Sequence, residues 1–237
     1  MDDRSPPPIR ALIFDVFGTL VDWHGGISRD VRRLLGAQVP DPAQFAVDWR
    51  AQYQPAMQRV RSGALPFCKL DELHRINLDQ VLADRGLHGV DEATRAQLNL
   101  AWHRLDAWPD VAPGLRRLRR RFRVAPCSNG NISLMVDLAR HNDLAWDAIL
   151  GAELARDYKP KPVVYRSAAA AFDCRPDEVL MVAAHSSDLA AAAGCGLRTA
   201  HIARPDEHGP GVGERQARQP VDWQAGGLDD LATQLGG

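Results

Sequence analysis

From Pro109 onward the chain alternates short apolar runs with segments of helical period, and that rhythm constrains its fold more than any other feature. The segment PGLRRLRRRF reads as a helix that leads into a strand, RVAPCSN. A helix from Gly130 to about Leu144 is followed by a short strand at AIL, 148–150. A helix from Pro162 to Phe172, the strand EVLMVAA, an Ala-rich helix at LAAAAGCG and the strand LRTAHIA complete the series. Such β-α alternation argues for α/β architecture with a parallel, doubly wound, Rossmann-like sheet. A further strand near the N-terminus, from about Arg10 to Phe17, carries the apolar run Ala11, Leu12, Ile13 and Phe14 and then one carboxylate, Asp15, followed by Gly18 and Thr19. A buried strand that ends in an acid and a tight turn places that acid at the carboxyl edge of the sheet, where open α/β folds bind ligands.

Between these two parts the pattern is helical. SRDVRRLLG opens with a Ser cap and stops at Gly36. DPAQFAVDWRAQYQPAMQRV has Asp41 as N-cap, Pro42 at the first helical position and a kink expected at Pro55. KLDELHRINLDQVLADRG and DEATRAQLNLAWHRL each carry an apolar stripe. Four helices without a strand predict an inserted helical domain at 23–106, with residues 1–22 and 107–237 forming the core domain. The tail from Arg204 to Pro220, rich in Gly, Pro and charge, reads as an irregular loop before a last short helix near Leu228 to Leu235.

The formal net charge of -1 supplies no global field toward nucleic acid or an anionic membrane. The basic run at 116–123 reads as a solvated helix face, because Leu115, Leu118 and Phe122 recur within it at helical spacing. Cys68, Cys127, Cys174 and Cys195 are widely separated and form no CxxC pair, so they read as reduced core thiols and suggest no zinc site or disulfide framework. No apolar run is long enough to span a bilayer, and the first ten residues contain no apolar leader, so a cytoplasmic location is expected.

In a parallel sheet the other strand ends meet Asp15 at the same edge. The strand RVAPCSN runs into Ser128, Asn129, Gly130 and Asn131, a small polar group opening a helix whose free N–H groups can hold an anion. Lys159 lies in DYKPKP, just before another helix, and EVLMVAA runs into His185, Ser186, Ser187 and Asp188. Taken singly, each has a plain reading: Ser128 and Asp188 as helix caps, Lys159 as a solvated lysine, His185 as a hydrogen-bonded structural histidine. His74, His103 and Trp108 have only packing or surface roles to recommend them.

Together, the ordered set Asp15, Ser128, Lys159 and Asp188 resembles the haloacid dehalogenase superfamily, with the helical insertion in the position of that family's cap domain. DVFGTLVDW is similar to the type II branch, the L-2-haloacid dehalogenases. Phe17 stands two residues after Asp15, where phosphatases of the superfamily place an acid that protonates an alkoxide leaving group. A halide is the anion of a strong acid and leaves without a proton.

The resemblance implies hydrolysis of short 2-haloalkanoic acids without a cofactor or metal. Asp15 would attack the halogen-bearing carbon and form an ester, Ser128 with nearby N–H groups would bind the substrate carboxylate, and Lys159 would offset the charges of Asp15 and Asp188. Asp188 would position water, and Thr19 would tie the nucleophile loop. Arg50, in VDWRAQYQ, would accept the halide from the cap beside Asn129, with Phe17, Trp49 and Tyr53 as pocket neighbours. The chain departs from the well-known members at Ala183, Ala184 and His185, where they carry Ser-Ser-Asn. A neutral His185 with an ordinary pKa near ~6.5 would then serve as base, and small haloacetates including fluoroacetate enter the candidate range. The resemblance also implies a homodimer, a small-molecule partner, and no nucleic acid or membrane partner. The rival expectations are a magnesium-dependent phosphatase of the same fold and a silent binding protein.

Overall fold

Six parallel strands in the order β3-β2-β1-β4-β5-β6 form the sheet. They are β1 (Ala11–Phe14), β2 (Arg123–Ser128), β3 (Leu150–Gly151), β4 (Val179–Ala183), β5 (Arg198–Ile202) and β6 (Trp223–Ala225). The structure is a computed structural model and describes residues 7–236. The first six residues, part of the stretch read as lacking an apolar leader, lie outside the described residues, as does Gly237, the last residue of the expected core domain.

The pleat divides each central strand between two cores. Leu12, Phe14, Val124, Leu180 and Val182 pack on one face, while Ala11, Ile13, Ala125, Cys127, Val179 and Met181 pack on the other. Each fully buried large aliphatic or aromatic side chain contributes roughly 1.5–3 kcal/mol, so a shift of register by one residue would exchange both faces at once. The central strand, β1, lies between β2 and β4, so the order of connections reverses beside it. The carboxyl end of β1 is therefore the crevice that this topology reserves for a ligand.

Eleven α-helices are found among the described residues. α1 (Trp23–Leu35), α2 (Pro42–Ala51), α3 (Tyr53–Arg61), α4 (Leu70–Asp84) and α5 (Glu92–Asn99) follow β1, and α6 (Val111–Arg119) precedes β2. α7 (Ile132–His141), α8 (Ala152–Ala155), α9 (Pro162–Ala171), α10 (Ser186–Ala193) and α11 (Leu228–Gln234) complete the chain. The helical segment leaves and re-enters through adjacent backbones: Asp22 N–H donates to Asp106 O at 2.9 Å and Trp108 N–H donates to Leu20 O at 2.9 Å.

Several boundaries differ from expectation. α1 starts at Trp23 because the Asp22 carboxylate caps Gly25 N–H at 2.8 Å, and Ser28 instead donates to His24 O within the helix. The anticipated single helix at 41–60 breaks at Gln52. Pro55 then sits in the first turn of α3, where its missing N–H costs no hydrogen bond. The last part of the expected helix at 91–105 is 3₁₀ from Leu100 to Arg104. β6 forms between the loop expected at Arg204 to Pro220 and the last helix, where no strand is expected from the sequence; it is a short edge strand with one buried residue, too weak a pattern to read. The basic run is more than a solvated face, since Arg117 and Arg121 bond the C-terminal residues Asp229, Thr233 and Leu235. All four cysteines are free; Cys127 and Cys195 are buried, whereas Cys68 and Cys174 are half-buried.

Candidate active site

Asp15 follows β1 directly, and its N–H donates to Val182 O of β4 at 3.0 Å, so the sheet itself aims the side chain. Both carboxylate oxygens are held. Lys159 Nζ donates to Oδ1 at 2.8 Å, while Thr19 Oγ1 donates to Oδ2 at 2.8 Å and His185 Nδ1 lies 3.0 Å from Oδ2. Thr19 Oγ1 also accepts from Ala184 N–H at 2.9 Å, tying the loop after β1 to the end of β4. Arg204 Nε donates to Thr19 O at 2.8 Å, and its guanidinium is gripped by both oxygens of Asp110 at 2.9 and 2.8 Å.

Lys159 is buried and bridges two carboxylates, reaching Asp188 Oδ2 at 2.5 Å as well as Asp15. Its backbone N–H donates to Asn129 Oδ1 at 2.8 Å, so the turn after β2 fixes the lysine loop. Tyr165 OH donates to the other Asp188 oxygen at 2.5 Å. His185 stands between two anions, with Nδ1 toward Asp15 and Nε2 toward Glu207 at 2.9 and 3.0 Å.

These contacts decide the charges. Burial raises the Asp15 pKa, but the Lys159 charge and the hydrogen bonds from His185 and Lys159 outweigh it and hold the group well below the carboxylate range. For Lys159, burial favours the neutral amine, and the charges of Asp15 and Asp188 reverse that, raising its pKa well above the usual value. Burial also opposes charge on His185, yet the hydrogen bonds and charges of Asp15 and Glu207 push it up to about 10. The expectation of an ordinary pKa is corrected in direction: the two carboxylates beside His185 favour the imidazolium over the neutral base.

A cavity of about 520 Å³ opens over this cluster. Asp15, Phe17, Arg50, Tyr53, Asn129 and Lys159 line it, together with His185 and Asp188. The Arg50 guanidinium lies 3.9 Å from the Tyr53 ring centroid, 5.5 Å from Trp23 and 5.9 Å from Phe17. Its Nη1 is buried and has no hydrogen-bond partner among the described residues. Two expected residues stand apart. Trp49 is core, donating from Nε1 to His74 O at 3.0 Å, and it is outside the cavity wall. Ser128 is fully buried beneath the wall, and its Oγ accepts from Gly130 N–H at 3.0 Å; this is a local turn and not the helix cap of the plain reading, because the N-cap of α7 is Asn131.

Glu207, Tyr165 and Trp23 were not anticipated. Glu207 lies in the loop after β5, and the strand-end rule that exposed Asp15 would have found it there; the Gly and Pro content of that loop hid it. Tyr165 gave no signal, since an aromatic residue on a helix reads as core. Trp23 donates from Nε1 to Glu207 Oε1 at 3.2 Å. Gly18, at φ +86°, passes so close to Glu207 that a Cβ would sit 2.1 Å from its Oε1, which explains the glycine on two counts. Among the described residues, no group of three or more His, Cys, Asp or Glu side chains is arranged to hold a metal ion.

Comparison with known proteins agrees with this architecture. A model of haloacid dehalogenase-like hydrolases matches residues 9–196. (S)-2-haloacid dehalogenase 1 of Pseudomonas sp. (strain CBS-3) is 30% identical over 201 residues, covering 83% of this chain and 86% of the relative. The crystal structure of the defluorinating L-2-haloacid dehalogenase Rha0230 superposes with a TM-score of 0.93 at 42% identity, over 97% of this chain and 96% of the other. That of the L-2-haloacid dehalogenase PA0810 gives 0.91 at 45% identity, over 96% and 99%. A parallel sheet with Asp15 at its reversal point, matched by the family model over most of its length, places this chain in the haloacid dehalogenase-like hydrolase family.

Proposed function

We propose that this protein hydrolyses the carbon–halogen bond of short 2-haloalkanoic acids, giving 2-hydroxy acids through an ester on Asp15. The observation that carries the reading is the pairing across the cavity of an ionised, doubly held Asp15 with an aromatic-framed Arg50, while Phe17 occupies the place where an alkoxide leaving group would need an acid. The helical segment, residues 23–106, acts as the cap that brings Arg50 over the core domain formed by 1–22 and 107–237. The family likeness supports, as further parts of this proposal, a small haloacid as partner, a homodimer and a cytoplasmic location.

In the first step an Asp15 oxygen attacks the substrate carbon; the C–O bond forms as the C–X bond breaks, and the halide leaves toward Arg50. The substrate carboxylate lies against Asn129 and the polar turn at the head of α7. Ester formation consumes the Asp15 charge, and with it one of the two anions that keep His185 protonated. The Nδ1 proton then departs to solvent, while the Glu207 carboxylate, accepting from Nε2–H, keeps that proton on the ring and fixes the tautomer. Nδ1 accepts a proton from water, and the resulting hydroxide attacks the ester carbonyl of Asp15. One water proton returns His185 to its resting charge, the other ends on the product hydroxyl, and Asp15 is freed. The base is thus created by the first half-reaction. Asp188, held by Lys159 and Tyr165, anchors the lysine and orders the water.

The test is halide release from chloroacetate and 2-chloropropionate, run beside phosphate release from small phosphate esters, each with magnesium and with a chelator. Halide release that survives chelation is expected. Magnesium-dependent phosphate release without dehalogenation would favour a phosphatase, and silence in both a binding protein. Fluoroacetate belongs in the panel because Rha0230 is a defluorinating enzyme. His185→Asn separates the half-reactions: it should form the ester but slow its hydrolysis about a hundredfold or more, so intact mass spectra should display an adduct on Asp15. A variant that turns over at the normal rate with no adduct would return His185 to a structural role.

A further inference from the structure

Trp23 is the first residue of α1, immediately after Asp22 at the crossing into the helical segment, and it is 1% exposed. Behind the cavity wall its indole meets two of the residues that line it, Glu207 and Arg50. The edge donates from Nε1 to Glu207 Oε1 at 3.2 Å, and the ring lies 5.5 Å from the Arg50 guanidinium. His24 and His208 meet it edge-on at 5.6 and 5.4 Å. An indole N–H can only donate, so its partner oxygen must accept. Oε1 already receives His185 Nε2, and the Gly18 backbone closes the space beside it, so the carboxylate is confined in place and orientation.

We propose that Trp23 is a positioning residue for the reaction: its N–H aims the Glu207 carboxylate at His185, while its ring supports Arg50 from the same side chain. This rests on the ester mechanism above. Once Asp15 is esterified, Glu207 is the remaining anion in contact with His185, and its basicity sets how readily the imidazolium gives up its Nδ1 proton. The other ionisable groups around the pair are His208 on the same loop, Arg50 from α2, His201 from β5, and Asp15 with Lys159 beyond His185. Donation from Trp23 stabilises the Glu207 anion and moderates its pull on the imidazolium. Without it Glu207 becomes the stronger base, His185 holds its proton to higher pH, and less of the neutral base exists at any given pH.

Trp23→Phe keeps an aromatic ring for Arg50 and removes the donor. Rapid-quench measurements with chloroacetate should give a halide burst within about twofold of wild type, ester hydrolysis slowed about threefold on its acid limb, and that limb displaced upward by about half a pH unit. A benzothienylalanine placed at position 23 retains the bicyclic shape and lacks the N–H, and it should reproduce both effects even if the phenylalanine variant folds poorly. An unmoved acid limb with the wild-type hydrolysis rate in either variant would overturn the proposal. So would a slowing of equal size at every pH accompanied by a lower Tm, the signature of lost packing alone. Absence of any halide burst in wild type would instead sink the ester mechanism, so the two failures are distinguishable.

Discussion

Asp15→Asn is expected to lower halide release on the order of 10⁴-fold or more, because a neutral amide is a poor nucleophile at saturated carbon. The structure states what else changes. Lys159 is buried between Asp15 and Asp188, and the substitution leaves it with one anion instead of two, while His185 loses one of its two carboxylate partners. The test that separates a nucleophile from a general base follows the oxygen. Excess wild-type enzyme turning over once in heavy-oxygen water should place the label in the peptide containing Asp15, with the hydroxy acid largely unlabelled, because in the proposed route water opens the ester at the carboxyl carbon. Label in the hydroxy acid and none in that peptide would make Asp15 an activator of water.

What the sequence made legible was the part of the site governed by chain order. Asp15, the Ser128–Asn131 turn and the His185–Asp188 segment each follow a strand, and a parallel sheet must bring strand ends together; Lys159 precedes a helix in the same series. What stayed hidden depended on side-chain partners far apart in sequence. His185 was recognisable as a polar residue at the edge, but its charge follows from Glu207, 22 positions on, in a loop whose composition says only that it is irregular. Trp49 and Trp23 illustrate the same limit from opposite sides. Both are buried indoles in the helical segment, yet Trp49 donates to a backbone carbonyl of another helix of that segment and Trp23 to a carboxylate in the site. Helical periodicity places each on an apolar face and cannot tell which N–H reaches which acceptor.

The hinge between the sheet and the helical segment is also a matter of partners. Two backbone hydrogen bonds between the outgoing and returning strands fix where the segment leaves the sheet. Side-chain contacts between the helical segment and the loops at the sheet's carboxyl edge then fix how it sits. Arg61 donates from Nη1 to Lys159 O at 2.9 Å, Tyr158 OH donates to Cys68 O at 2.8 Å, and Asn131 Nδ2 donates to Asp71 Oδ2 at 2.8 Å. Arg61 binds the carbonyl of the very residue that neutralises Asp15, so the seating of the helices and the charge balance beneath them share an anchor.

Arg50 gives the second large prediction. Arg50→Ala should reduce the halide burst about a hundredfold or more, the scale of losing one donor that faces developing negative charge in a dry site. Arg50→Lys should recover little of it. The guanidinium lies over Tyr53 at 3.9 Å with Trp23 and Phe17 close by, a seat that suits a flat, weakly hydrated cation. A lysine ammonium is compact and strongly hydrated, so it pays more to enter the same box and cannot both stack on Tyr53 and point a second nitrogen into the cavity. The loss should fall on ester formation, leaving hydrolysis of an ester already formed within about threefold of wild type, the reverse of His185→Asn. Burst kinetics on the folded Arg50→Ala variant decide the matter: an unchanged burst would place this guanidinium outside the path of the halide, and a normal burst followed by a stalled ester would move its role to the second half-reaction.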